Sequence, residues 1–106
     1  MTNADILSRL GDAIAQRIAA DPGASYVASL AKKGQDAILK KVAEEAAETL
    51  LASKDGDKLH LIRETADLWF HCMVLLAWHG ARAEDVLAEL SRREGTSGIE
   101  EKNSRG

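Results

Sequence analysis

Between Leu68 and Trp78 the chain passes through Trp69, Phe70, Met73, Val74, Leu75 and Leu76 with almost nothing polar, and two acids, Glu64 and Asp67, stand directly before it. At helical spacing these apolar side chains point in every direction. A helix that is apolar all round must be buried all round. A chain of 106 residues has little interior in which to hide one. The pattern therefore predicts a homodimer in which two copies pair these helices. The acids pose the opposite demand. Carboxylates at the mouth of an apolar core lose hydration, which costs on the order of several kcal/mol per ion unless a positive charge offsets it.

The rest of the chain also reads as helix. Ala, Leu, Glu and Lys dominate, and alternating β-branched segments are missing. Ile6, Leu10, Ile14 and Ile18 recur at helical spacing and predict a first amphipathic helix near residues 3–20, stopped by Asp21-Pro22-Gly23. Ser25 is placed to cap a short second helix that runs to about Lys33, where Gly34 ends it. A third helix is expected from about Asp36 to Ser53, with Leu39, Val42, Ala43, Ala46 and Leu50 as its core stripe. Lys54-Asp55-Gly56-Asp57 is a turn, and a fourth helix follows from Lys58 to His79, closed by Gly80. A last helix from Ala83 to Arg93 is amphipathic through Val86, Leu87 and Leu90. The expected architecture is all-α: a bundle of four to five helices completed by homodimerisation, forming one domain over residues 1–94. A polar tail over 95–106 follows, expected to be mobile when no ligand is bound.

Composition removes several function classes. A formal charge of −3 argues against a general nucleic-acid binder, which needs a basic face. A hydrophobic share of 45% is too high for disorder. The single cysteine, Cys72, rules out an internal disulfide framework and sits where a small core residue would sit. Asp5 and its polar neighbours do not open like a secretory signal. The apolar run falls short of the about 20 residues needed to cross a bilayer. Neither a nucleic-acid nor a membrane partner is expected, and a reducing cytoplasm fits.

The chemistry is carried by the acids. Residues three or four apart on a helix project side by side. Glu45 and Glu48 can grip one cation together, as can Glu44 and Glu48, and Glu64 with Asp67 repeats the arrangement on the next helix. Joined by a short turn, the two helices would form an antiparallel hairpin with the pairs facing each other. Oxygen-only ligands suit Mg²⁺ or Mn²⁺, and Mg²⁺ shares its shell readily with substrate phosphates. Glutamates on a helix are commonly no more than a solvated face, and Lys41 can pair with Glu45. Glu64 and Asp67 shift the balance because an unbroken apolar stretch follows them. Lys40 and Lys41, beside the acids, are candidates to hold phosphate; so is His71, one turn beyond Asp67, though a core histidine is an equal reading. Trp69, Phe70 and Trp78 could stack on a purine but more simply fill the core, and Tyr26 reads as packing over the short helix.

Glu44-Glu45-x-x-Glu48 followed by Glu64-x-x-Asp67 resembles the signature of the MazG-like all-α nucleotide pyrophosphohydrolases. Several segments narrow the likeness to the phosphoribosyl-ATP pyrophosphohydrolases: Ser25-Tyr26, Lys33-Gly34, Ile38 to Val42, His71, Asp85-Val86-Leu87, and the tail from Gly95 to Lys102. The resemblance implies hydrolysis of phosphoribosyl-ATP to phosphoribosyl-AMP and pyrophosphate, the second step of histidine biosynthesis. It implies Glu45, Glu48, Glu64 and Asp67 as metal ligands for Mg²⁺ and Glu44 as an acid that holds or activates water. Three other readings remain at this stage. One is a house-cleaning pyrophosphohydrolase for noncanonical nucleotides on the same metal site. Another is a non-enzymatic helical dimerisation module. A di-iron bundle fits less well, because it wants two Glu-x-x-His pairs that neither acidic helix supplies.

Overall fold

In the computed structural model, which describes residues 5–105, the described chain forms six helices and no strand. They are α1 (Ile6–Arg17), α2 (Tyr26–Lys33), α3 (Gln35–Asp55), α4 (Lys58–Trp78), α5 (Ala83–Arg93) and α6 (Gly98–Ser104). The all-α expectation is met. The part of the first helix expected at residues 3 and 4 lies outside the described residues.

Local chemistry sets the helix ends. Ser25 accepts the backbone N–H of Ala28 at 3.2 Å and starts α2. Gly56, at φ 75°, takes the left-handed conformation that closes α3, and Asp57 then accepts the N–H of His60 at 3.1 Å to start α4. This tight turn folds α3 and α4 back on each other, and they share the most extensive helix–helix contact of the molecule.

The core lies at one end of that hairpin. Ile14, Val27, Leu30, Ile38, Met73, Val74 and Ala83 form one buried cluster, drawn from α1, α2, the start of α3, the second half of α4 and the start of α5. Full burial of a side chain such as Ile14, Ile38 or Val74 stabilises by about 1.5–3 kcal/mol, and truncating Ile38 to Ala would cost about 2–5 kcal/mol. Arg82 hydrogen-bonds Asp12, tying the start of α5 to α1.

The single chain leaves part of α4 uncovered, as expected of a chain too small to bury it: Trp69 is 59% exposed and Ile62 57%, while His71, Met73 and Val74 are its buried residues. Two findings depart from the sequence reading. The stripe expected for α3 is only partly covered, because Leu39 and Leu50 face outward and Ile38, Glu45 and Ala52 are buried instead. The polar tail contains α6, capped by Ser97, which accepts the Glu100 N–H at 3.0 Å. Glu101 of α6 is buried against α5: its Oε1 lies 2.5 Å from Arg92, 3.8 Å from Arg93 and 3.5 Å from Arg105. Composition alone pointed to a solvated tail because those partners become neighbours only after α6 folds back.

Candidate functional site

Three carboxylates converge between α3 and α4. Glu45 and Glu48 are one helical turn apart on α3. Glu48 and Glu64 lie equally far from Gly56 along the chain, so the antiparallel hairpin brings them level. One oxygen from each of Glu45, Glu48 and Glu64 lies within 4.8 Å of the other two.

The trio is poorly neutralised. Glu45 is buried; its Oε1 meets Lys41 Nζ at 3.3 Å, and its Oε2 is buried with no hydrogen-bond partner. Glu64 Oε1 lies 3.3 Å from His60 Nε2, and its Oε2 is likewise buried and unpartnered. An orphaned buried acceptor costs about 1–3 kcal/mol, more when charged. Glu48 has its pKa pushed above the usual carboxylate range, first by a hydrogen bond with Glu64, then by the charge of Glu64, then by desolvation. Two facing carboxylates hold a proton more tightly than one alone. The Lys41 ammonium is shifted upward too, chiefly by its hydrogen bond to Glu45, with smaller contributions from Tyr26, Glu45 and Glu44.

These donors fit a hard divalent cation. All are carboxylates, one oxygen of each lies close to the other two, and Glu45 and Glu64 each carry a buried oxygen without a hydrogen-bond partner. Oxygens sharing an octahedral Mg²⁺ with bonds of about 2.1 Å sit roughly 3–4 Å apart, so a small closure of the three side chains would suffice.

The other residues singled out by sequence are placed differently. Asp67 is exposed and stands outside the trio; its backbone carbonyl accepts from His71 Nδ1 at 2.8 Å. Glu44 is exposed beside the trio, 4.0 Å from Lys40 and 3.9 Å from Lys41. Lys40 is the more exposed lysine, whereas Lys41 bridges Glu44 and Glu45. His71 is buried, and both its ring nitrogens are occupied within the chain: Nδ1 by the Asp67 carbonyl and Nε2 by the Tyr26 hydroxyl at 2.8 Å. A carbonyl can only accept, so Nδ1 is the donor in that bond, and Nε2 pairs with the Tyr26 hydroxyl. His60 and Tyr26 were not read as site residues. The spacing of His60 and Glu64, one helical turn, was a usable signal; Tyr26 and His71 meet only through the tertiary fold.

The sequence profile of the family described as phosphoribosyl-ATP pyrophosphohydrolase matches residues 7–94, a span that holds all the acids above. The chain belongs to this phosphoribosyl-ATP pyrophosphohydrolase family. Similar relatives share most of its length. A phosphoribosyl-ATP pyrophosphatase of Chromobacterium violaceum is 67% identical over 101 residues, covering 95% of this chain and 94% of its own. Those of Nitrosospira multiformis and of an Azoarcus species are 63% and 58% identical, each covering 99% of this chain and 87% and 98% of their own.

Proposed function

We infer that this chain hydrolyses phosphoribosyl-ATP to phosphoribosyl-AMP and pyrophosphate, the second step of histidine biosynthesis, and works in the cytoplasm. Membership of the family supports the substrate. The observation that carries the chemistry is the convergence of Glu45, Glu48 and Glu64, one oxygen of each within 4.8 Å of the other two, with Glu45 and Glu64 each also carrying a buried oxygen without a partner.

Glu45, Glu48 and Glu64 would hold a divalent cation, Mg²⁺ or Mn²⁺, with Asp67 joining them from its position one turn beyond Glu64. When bound, the cation neutralises polyphosphate charge and makes water more acidic. Glu44, exposed at the rim, takes the proton from the attacking water. Water adds to one phosphorus of the α–β anhydride, and the bridging oxygen leaves with the other phosphoryl group. Lys41, and less directly Lys40, hold phosphate oxygens beside the acids. No side-chain nucleophile takes part: the Cys72 thiol is pushed upward in pKa by burial, which disfavours its thiolate. A homodimer would cover the bare apolar faces of α4 and α5. An apolar groove of about 340 Å³ lined by Leu7, Trp69, Met73, Leu76, Val86 and Leu87 supports that pairing.

Pyrophosphate release from phosphoribosyl-ATP, compared with a panel of nucleoside triphosphates and run with and without Mg²⁺, tests the reading. Mg²⁺-dependent turnover of phosphoribosyl-ATP alone is expected. Broad turnover of triphosphates, or none of any, contradicts it.

A further inference from the structure

Tyr26 is 51% exposed, yet it is one of the most firmly oriented side chains near the acids. Its hydroxyl pairs with Nε2 of the buried His71 at 2.8 Å, and His71 is itself locked by the Asp67 carbonyl at 2.8 Å. Its ring stacks on Phe70 at a centroid distance of 6.4 Å and 28° between planes, and meets the His71 ring edge-on at 5.8 Å. Phe70 and His71 are in turn edge-to-face at 5.2 Å. Three aromatic rings thus brace one another, and the Tyr26 ring is the most open of them to solvent. Tyr26 opens α2, which packs against α3, the helix that carries Lys41 and Glu45. His71 and Glu64 stand on the same face of α4.

An aromatic ring needs no histidine anchor merely to lie on a surface. A packing role would bury it, and a solvent-facing tyrosine ordinarily spends its hydroxyl on water. Here a buried histidine, held by the backbone carbonyl of Asp67, is spent on fixing the angle of a half-exposed ring beside α4, the helix that carries Glu64 and Asp67. Fixed π-faces bind flat heterocycles by stacking. We propose that the Tyr26 ring is the platform on which a purine of the nucleotide substrate stacks, and that His71 is its positioning residue, acting through the Tyr26 hydroxyl. The proposal rests on the nucleotide-hydrolase reading above. It replaces a direct phosphate contact for His71 with the positioning of the base platform, because both ring nitrogens are engaged within the chain.

The test compares ligands with and without a base. AMP and tripolyphosphate are each measured as inhibitors of phosphoribosyl-ATP hydrolysis, in wild type and in Tyr26→Leu. Removing a stacked ring should raise KM and the AMP inhibition constant by about tenfold, while kcat and the tripolyphosphate constant change far less. Tyr26→Phe and His71→Asn cut the same hydrogen bond, so each should give a smaller rise in KM, and the double variant should be no worse than the poorer single one. The Tyr26→Phe change is at the surface and keeps the test decisive if the buried His71→Asn variant does not fold. Equal weakening of AMP and tripolyphosphate by Tyr26→Leu would overturn the proposal. So would unchanged KM with an altered dimerisation constant in sedimentation, since the ring would then be an interface residue. Failure of the underlying reading is recognisable separately, as absence of wild-type turnover.

Discussion

The molecule holds two buried glutamate sites of equal depth and opposite character. Glu45 is 6% exposed and Glu101 5%. Glu45 is gathered with two further carboxylates, Glu48 and Glu64, against one lysine, and two of the oxygens in that trio have no partner. Glu101 is alone among three guanidiniums, and one of them, Arg92, also grips Glu89 through bonds of 2.9 and 2.8 Å. The second site also keeps one buried oxygen, Glu101 Oε2, without a hydrogen-bond partner, but its charge is matched by arginine, and it fastens α6 to α5. The first is frustrated in the bare chain, which is what a site awaiting a cation looks like. Burial of a carboxylate therefore says little until the sign of its neighbours is known.

The largest expected effect comes from removing charge at the frustrated site. Glu64→Gln keeps the shape of the side chain and should lower phosphoribosyl-ATP hydrolysis by about a hundredfold or more. Its melting temperature in chelator should rise above that of wild type, because the amide can donate to Glu48 where a carboxylate repels it. Added Mg²⁺ should then raise the melting temperature of wild type, by about 2.7 kcal/mol of linkage at a hundred times Kd, but not that of the variant. A Glu64→Gln protein with full activity would erase the distinction between the two sites.

The same replacement at the complementary site should have the opposite sign. Glu101→Gln leaves three arginines without their shared anion and should destabilise by about 1–2 kcal/mol in urea unfolding. Cleavage by a protease after Lys102 should become faster as α6 loosens.

Acid should separate the sites further. The Glu89 carboxyl is pulled down to about 2, chiefly by its hydrogen bonds to Arg92 and Arg93. A lowered acid contributes stability that is complete above its unfolded value, about 4.3, and is lost as pH falls through about 2. Glu48 shifts the other way. A raised acid is unpenalised below its unfolded pKa, and the penalty grows as pH rises through the raised value. In chelator, amide exchange at the α3–α4 trio should slow as pH is lowered toward the ordinary carboxylate range. Exchange in the last turns of α5, around Glu89, Arg92 and Arg93, should quicken only on further acidification. Loss of protection in both regions over one window would contradict the pairing described.

The smallest effects distinguish the two lysines. Lys40→Met should alter stability by no more than about 0.5 kcal/mol, as expected of an exposed helix pair. Lys41→Met removes the single lysine on Glu45 and should raise KM more than Lys40→Met does in the same assay.

Much of this was legible in the sequence for a local reason. Ser25, Gly34, Gly56, Asp57 and Gly80 act within one turn of chain, so the ends of α2, α3 and α4 followed from them to within a residue or two. Glu45, Glu48 and Glu64 could be picked out because helix periodicity and one short turn suffice to bring them together. Asp67 shared that periodicity, yet the rotation of α4 against α3 leaves it exposed and outside the trio. The faces of α4 resisted reading because apolar character all round does not say which side a neighbour will cover. The bond between Tyr26 and His71 joins residues 45 positions apart, and that from Arg92 to Glu101 needs α6 to fold back. By itself the sequence determined α1 to α5, most of their ends and the family chemistry, since these depend on spacing along the chain. Tertiary structure alone decided that α6 folds back, which carboxylates gather with like charges, which are clasped by arginine, and which aromatic ring is braced yet half-exposed, because each depends on side chains that only packing brings together.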